Sequence, residues 1–184
     1  MNIRYKLIWD NPYWIFCQKG KIVSQEDNSE LLQFEIQRSE DIILFSGKKI
    51  GKTLWKWEDR WKSGTWAEAH SGELVTCNDQ FLARADACLP NYIRKNGSIH
   101  STVLKIATTN NTNYFIEWDT MLWFNLISKK DIMILCDENK NMILKSVNPP
   151  TYNFSVVGSS SELMILITIF TAYILKIPMV CIGA

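Results

Sequence analysis

The order of apolar and polar positions changes character near residue 158. Before that point, short apolar runs follow one another at intervals of about 8–12 residues, and turn-forming residues separate them. The clearest run is residues 31–37, where Leu32, Phe34 and Ile36 alternate with polar residues as a half-buried strand does. We therefore expect about twelve short strands, with no alternation of strands and helices of the kind that builds a parallel sheet.

Turn residues mark several predicted hairpins. Lys19-Gly20 is predicted to turn the chain into a strand at residues 21–25, and Asn96-Gly97 is a strong two-residue hairpin signal. Residues 137–141 form a polar segment between the apolar runs 131–136 and 142–147. Many short antiparallel strands of this kind favour a barrel or a sandwich.

The last 26 residues hold the only long, continuous apolar run. Ser159 and Glu162 have the S-x-x-E spacing of a capping box, and Pro178 disfavours helix at the residue before it. We assign a helix to residues 159–177, with its regular part ending near Lys176. It is apolar on all sides, which is typical either of a helix buried on all sides or of a membrane span.

Two interpretations of this run follow. A tail anchor at residues 163–182 would leave a separate soluble β domain, whereas a buried helix would fill the interior of the strands. The regular helix is about 15 residues long, shorter than the 20 or so that cross a bilayer. We therefore favour one domain, residues 1–184, in which a closed antiparallel barrel surrounds the hydrophobic C-terminal helix.

Composition narrows the function classes. The net charge of +1 gives no global attraction to nucleic acid, and we expect no nucleic-acid partner. Five cysteines without a C-x-x-C pair indicate reduced thiols, and the N-terminus lacks the apolar segment of a signal peptide. These features predict a cytoplasmic protein.

A stretch rich in lysine and tryptophan is the main candidate for a binding surface. Lysines attract anionic headgroups, and tryptophan prefers the membrane–water boundary. The same mixture suits single-stranded nucleic acid, and it also suits a plain strand pair with inward Trp, outward Lys and local charge partners at Glu58 and Asp59. The predicted lipid-binding residues are Lys48, Lys49, Lys52, Trp55, Lys56, Trp57, Arg60 and Trp61.

Other motifs have plain structural explanations. GKKIGKT at residues 47–53 has three residues between its glycines where a P-loop has four, so we interpret it as a basic hairpin turn. Asp137, Glu138 and Asn139 are interpreted as a hairpin tip rather than a calcium site. The two histidines, His70 and His100, form no metal or catalytic pattern. We predict no catalytic residue, metal or cofactor.

The strand series and the terminal helix together resemble the tubby C-terminal-like barrel superfamily, which includes phospholipid scramblases and LURP-one-related proteins. The resemblance lies in YWIFCQKGKIVSQ (13–25), DIMILCDENKNMILK (131–145) and ELMILITIFTAYIL (162–175). It implies a barrel of about twelve strands threaded by the helix. The chain lacks the Pro-rich segment and the Cys-rich patch of scramblases, so the resemblance does not imply scrambling activity.

Three functional hypotheses remain open. The first is a non-enzymatic intracellular barrel that binds anionic phospholipid at a membrane surface or an unknown protein partner. The second is a tail-anchored membrane protein with a soluble β domain. The third is a small-ligand-binding barrel or an enzyme whose site is assembled from distant strands.

Overall fold

The computed structural model describes residues 2–10, 19–37, 40–58, 71–88, 101–119, 133–147, 153–157 and 162–180. Within these ranges the chain forms twelve strands followed by one helix. The elements are β1 (Asn2–Trp9), β2 (Lys19–Ser24), β3 (Glu30–Gln37), β4 (Ile42–Gly47), β5 (Gly51–Trp57), β6 (Gly72–Thr76), β7 (Phe81–Cys88), β8 (Ser101–Thr108), β9 (Asn113–Asp119), β10 (Met133–Asp137), β11 (Met142–Val147), β12 (Asn153–Val157) and α1 (Leu163–Val180).

The twelve strands close into an antiparallel barrel. Each strand pairs with its neighbours in chain order, and β1 pairs with β12 to complete the ring. The closing register places Ile3 opposite Val156 and Tyr5 opposite Phe154. Closure leaves no strand with an unpaired edge, and it confirms the predicted fold class.

Alternate residues of the strands point into the barrel. In β3 these are Leu32, Phe34 and Ile36, which are buried as their alternation predicts. Trp55 of β5 and Leu74 of β6 face each other in register and are also buried. The inward side chains of neighbouring strands therefore line one continuous apolar interior.

Helix α1 occupies that interior. Residues 166–175 are all buried, including the two threonines, and they belong to the same core as the inward strand residues. Tyr173 packs edge-on against Trp55 and Trp57, with ring centroids 5.6 and 5.1 Å away. An all-round apolar helix suits this position, because every face meets apolar side chains.

No helix within the described ranges is both long and apolar enough to cross a membrane.

Two local predictions are corrected. Lys19 and Gly20 begin β2 instead of forming a turn, and they pair with Glu35 and Phe34 of β3. The helix continues through Pro178 to Val180 instead of ending near Lys176. A proline in the last turn of a helix lowers the stability of the helix less than one in the middle, because few backbone hydrogen bonds of the helix lie beyond it.

Glu162 of the predicted capping box makes long-range contacts. The Glu162 carboxylate is buried and accepts hydrogen bonds from the Thr108 hydroxyl, at 3.0 Å from each oxygen, and from the side-chain amide of Asn110. Glu162 thus connects the start of α1 to the β8–β9 turn. Ser159, its expected partner in the capping box, lies outside the described residues, so the local cap is not tested, and the predicted Asn96-Gly97 turn also lies outside them.

Candidate functional site

The β4–β5 hairpin places three lysines at one end of the barrel. Residues 48–50 form the turn, and Gly47 pairs with Gly51 at its base. Gly51 has a φ of 69°, a backbone conformation that glycine adopts without a steric cost. Lys48, Lys49 and Lys52 are exposed, and we call these three residues the basic tip.

Packing beneath the turn fixes the position of the basic tip. Ile50 is partly buried and packs against the barrel core. The Lys52 carbonyl accepts a hydrogen bond of 3.3 Å from the Cys77 amide in the β6–β7 turn. The hairpin is therefore held from below and from one side, while its lysine side chains project into solvent.

The charges of the basic tip are available to a partner. None of its lysines makes an ion pair with a carboxylate in the described part of the chain. Lys56, four residues further along β5, differs because its ammonium lies 2.7 Å from the Asp79 carboxylate. The hydrogen bond to Asp79 raises the pKa of Lys56, and Lys56 is less suited to bind an external anion.

Trp55 and Trp57 of the predicted lipid-binding set point into the barrel. Trp55 has no exposed surface, and its ring packs edge-on against Trp57 at 5.2 Å. Trp57 also contacts Tyr173 of the central helix. The prediction of a lipid contact for Trp55 does not fit this burial, because alternation along β5 sends Trp55 and Trp57 inward and Lys56 outward.

The remaining predicted residues of this stretch, Arg60 and Trp61, lie outside the described residues. The expected charge partners also change. Glu58 pairs with Arg84 of β7, whose Nη1 and Nη2 both donate to the Glu58 carboxylate, with Nη2 at 2.7 Å from Oε2. Glu58 thus pairs with β7 and not with a lysine of its own strand. Asp59, the other expected partner, is likewise outside the described residues.

An apolar row on the outer surface adjoins the basic tip. Leu44, Leu54 and Val75 lie opposite one another on β4, β5 and β6, and Val75 pairs with Phe81 of β7. Phe81 is 42% exposed, the one large apolar side chain in the described residues with that much exposure. Sequence alternation did not indicate Phe81 as a surface residue.

The direction of the row explains how it relates to the lysines. Leu54 lies between the buried Thr53 and Trp55, so it points outward, on the same side as Lys52 two residues before it. Neighbouring strands are about 4.8 Å apart. Phe81 lies two strands away from Leu54, and Lys52 lies two residues along β5 from Leu54, so Phe81 is roughly 12 Å from Lys52. The lysines and the exposed Phe81 thus lie on one side of β4–β7, with the half-buried Leu54 and the buried Val75 between them.

Acidic residues also lie at the same end of the barrel, and Asp79 of the β6–β7 turn is paired with Lys56. Glu26 and Asp27 are in the β2–β3 turn, where Asp27 accepts hydrogen bonds from the Ser29 amide and hydroxyl at 3.0 and 2.7 Å. These hydrogen bonds lower the pKa of Asp27. The positively charged surface is therefore the β4–β7 side of this end and not the whole end.

A polar recess of about 270 Å³ lies on the outer surface of β2–β4. The Lys19–Glu35 ion pair, 3.2 Å long, is part of its wall, and it carries both positive and negative side chains. Such a recess has no dominant charge and no buried catalytic pair among its described residues.

The other sequence candidates give no chemical site. Residues 48–50 form the expected hairpin turn, and Asp137 accepts hydrogen bonds from the amides of Asn139 and Asn141, as a hairpin tip does. No group of three or more metal-binding side chains occurs among the described residues. His70 and His100 lie outside them.

Comparison with known proteins gives no relative: no family model, no curated protein and no solved structure matches the chain.

Proposed function

We propose that the protein binds the surface of membranes that contain anionic phospholipid, through the basic tip and the apolar row beside it. The observation that carries this proposal is the presence of three exposed lysines without described carboxylate partners on a fixed turn, next to the exposed Phe81. Lysine ammonium groups suit phosphate headgroups, and a phenylalanine suits the boundary between headgroups and acyl chains.

The expected affinity is modest. Each lysine near an anionic surface contributes about 1 kcal/mol, so the basic tip supplies about 3 kcal/mol, or roughly a hundredfold in partitioning. Phe81 adds part of the free energy of burying its ring. Binding is therefore reversible and falls with salt, because screening at physiological ionic strength acts over about 8 Å.

Vesicle sedimentation tests the proposal. The protein is mixed at low salt with vesicles of phosphatidylcholine alone and with vesicles that also contain phosphatidylserine. We expect binding to the anionic vesicles only. The triple variant Lys48→Gln, Lys49→Gln and Lys52→Gln is expected to lose roughly a hundredfold in partition coefficient.

The matched control removes the same charge elsewhere. Lys21→Gln, Lys105→Gln and Lys140→Gln together also lower the net charge by three, at scattered positions. If both triple variants lose binding equally, only the net charge matters and the basic tip is not the site. If the unmodified protein ignores anionic vesicles at low salt, the lipid proposal fails.

The filled interior favours this proposal over a ligand-carrying barrel. Phe45, Trp55, Phe170 and Tyr173 are fully buried where a carrier of this fold would hold its ligand. Burial of residues 166–175 in the barrel core likewise favours surface attachment over a tail anchor. Membership of the tubby C-terminal-like superfamily is proposed on the architecture alone.

A further inference from the structure

A second group of basic residues lies on the outer surface, where β11, β12 and β1 adjoin. Ser155 of β12 is directly opposite Arg4 of β1 on one side and Lys145 of β11 on the other. Directly opposed residues of antiparallel strands point to the same face. Arg4 is exposed, so all three side chains are on the outside of the barrel.

The Ser155 hydroxyl is the unusual feature of this group. Ser155 is only 1% exposed, and its Oγ has no hydrogen-bond partner in the described structure. A buried hydroxyl without a partner destabilises a protein by about 1–3 kcal/mol. Such a group in a native fold points to a partner that binds from outside the chain.

The charge around Ser155 is of one sign. The register fixes its eight nearest positions on this face, and three of the eight are cationic while none is acidic. These positions are Arg4, Lys145, Asn2, Lys6, Ile143, Val147, Asn153 and Val157. The partner that fits a hydroxyl donor among three cations is an anion.

We propose that Arg4, Ser155 and Lys145 form a binding site for a tetrahedral oxyanion of the phosphate or phosphate-monoester class. The Ser155 hydroxyl donates one hydrogen bond to a phosphate oxygen. The Arg4 guanidinium supplies a planar pair of donors to two others, and the Lys145 ammonium acts as a point charge.

The spacing suits a ligand of this size. Arg4 and Lys145 are two strands apart, or about 10 Å between Cα atoms, so both long side chains can reach the space above Ser155. Lys6, on the same face of β1, adds long-range attraction.

The site is separate from the basic tip. Strands β2, β3 and β4 lie between β1 and β5 in the barrel. The inference therefore stands independently of membrane binding, and each can fail without the other.

An NMR titration with inorganic phosphate tests the inference, with ionic strength kept constant by sodium chloride. We expect saturable shifts at the Ser155 amide and the Arg4 Hε, because the Ser155 hydroxyl and the Arg4 guanidinium contact the ligand. Ser155→Ala removes one charge-assisted hydrogen bond and is expected to raise Kd about tenfold. Arg4→Gln is expected to raise Kd at least as much.

Two controls keep the result interpretable. Ser155→Ala removes an unpartnered buried group, so without phosphate the variant should keep the spectrum of the folded protein and be at least as stable as the unmodified protein. Lys49→Gln removes a positive charge from the basic tip and should bind phosphate as before. Unchanged phosphate affinity in folded Ser155→Ala, or no saturable shifts in the unmodified protein, would overturn the inference.

Two further arms identify the source of the phosphate. Glycerol 3-phosphate presents a soluble monoester, and vesicles with phosphatidic acid present the same monoester on a membrane. Ser155-dependent binding of glycerol 3-phosphate assigns the site to soluble ligands as well as lipids. Ser155-dependent binding to the vesicles alone assigns it to a lipid headgroup.

Discussion

At the scale of single residues, alternation along a strand predicts burial well until a bulge interrupts it. Leu32, Phe34 and Ile36 are buried as their spacing indicates. Phe81 is different, because the register between β6 and β7 shifts at Leu74 and Val75 and pairs Val75 with Phe81. A sequence contains no direct sign of such a shift, so the exposed phenylalanine could not be predicted.

Tryptophan is ambiguous at the same scale. Trp55 and Trp57 have apolar bodies with one polar N–H, so a lysine-rich neighbourhood is compatible with either a membrane interface or a core. In the structure both rings belong to the core, because Tyr173 of the central helix packs against them. The lysines of the basic tip are exposed as predicted, because a glycine-flanked turn lies outside the barrel interior.

Tyr173 leads to a prediction about alkaline pH. Burial, and then the charges of Asp86 and Glu58, raise the pKa of its hydroxyl well above the usual value of 10.0. The unfolded chain therefore releases this proton first as pH rises. Above about pH 10, Tyr173 is expected to lower the free energy of unfolding by up to about 1.4 kcal/mol per pH unit.

Urea unfolding at pH 7 and at pH 10.5 measures this effect against Tyr173→Phe. Lysine titration affects both proteins, so the difference between their pH dependences isolates the phenol. The variant should lose less stability between the two pH values than the unmodified protein. Equal losses in both would show that Tyr173 ionises as easily in the fold as in the unfolded chain.

At the scale of elements, the hairpin turns at residues 48–50 and 137–141 were predictable, whereas Lys19-Gly20 lies in a strand and the long-range contacts at the helix start were not foreseen. Asn28, Asp79, Asn111 and Lys140 each have positive φ in a turn at the same end of the barrel, and asparagine and aspartate favour that conformation. The S-x-x-E pattern predicted a local cap for α1. Glu162 also binds Thr108 and Asn110, which are more than 50 residues away in sequence and cannot be predicted from a local pattern.

This tertiary contact gives a prediction for Thr108→Val. The substitution keeps the shape of the side chain but removes the hydroxyl that donates to the buried Glu162 carboxylate. We expect a loss of about 1.5–3 kcal/mol in the free energy of unfolding, the usual value for a hydrogen bond to a charged group. Urea denaturation at neutral pH measures the loss.

Thr109→Val is the matched control, because Thr109 is the next residue and is exposed. It should change stability by no more than about 0.5 kcal/mol. If the two valine variants are equally stable, the link between Thr108 and Glu162 contributes little to holding the helix.

At the scale of the whole molecule, two properties of the sequence predicted the architecture. About twelve short antiparallel strands favour a barrel or a sandwich, and a closed sheet of this size needs its interior filled. A terminal helix without a polar face can fill it. The pairing of β1 with β12 could not be derived from sequence alone, since nothing in residues 2–9 specifies a partner about 150 residues away.

The central claim is that α1 is the core of its own barrel, and hydrogen–deuterium exchange of the full-length chain tests it most directly. Amides of residues 166–175 should exchange as slowly as those of β3 and β8, because they become accessible only when the barrel opens as a whole. Their exchange should accelerate together with those strands as urea is added. Rapid exchange of residues 166–175 while the strands remain protected would contradict the account.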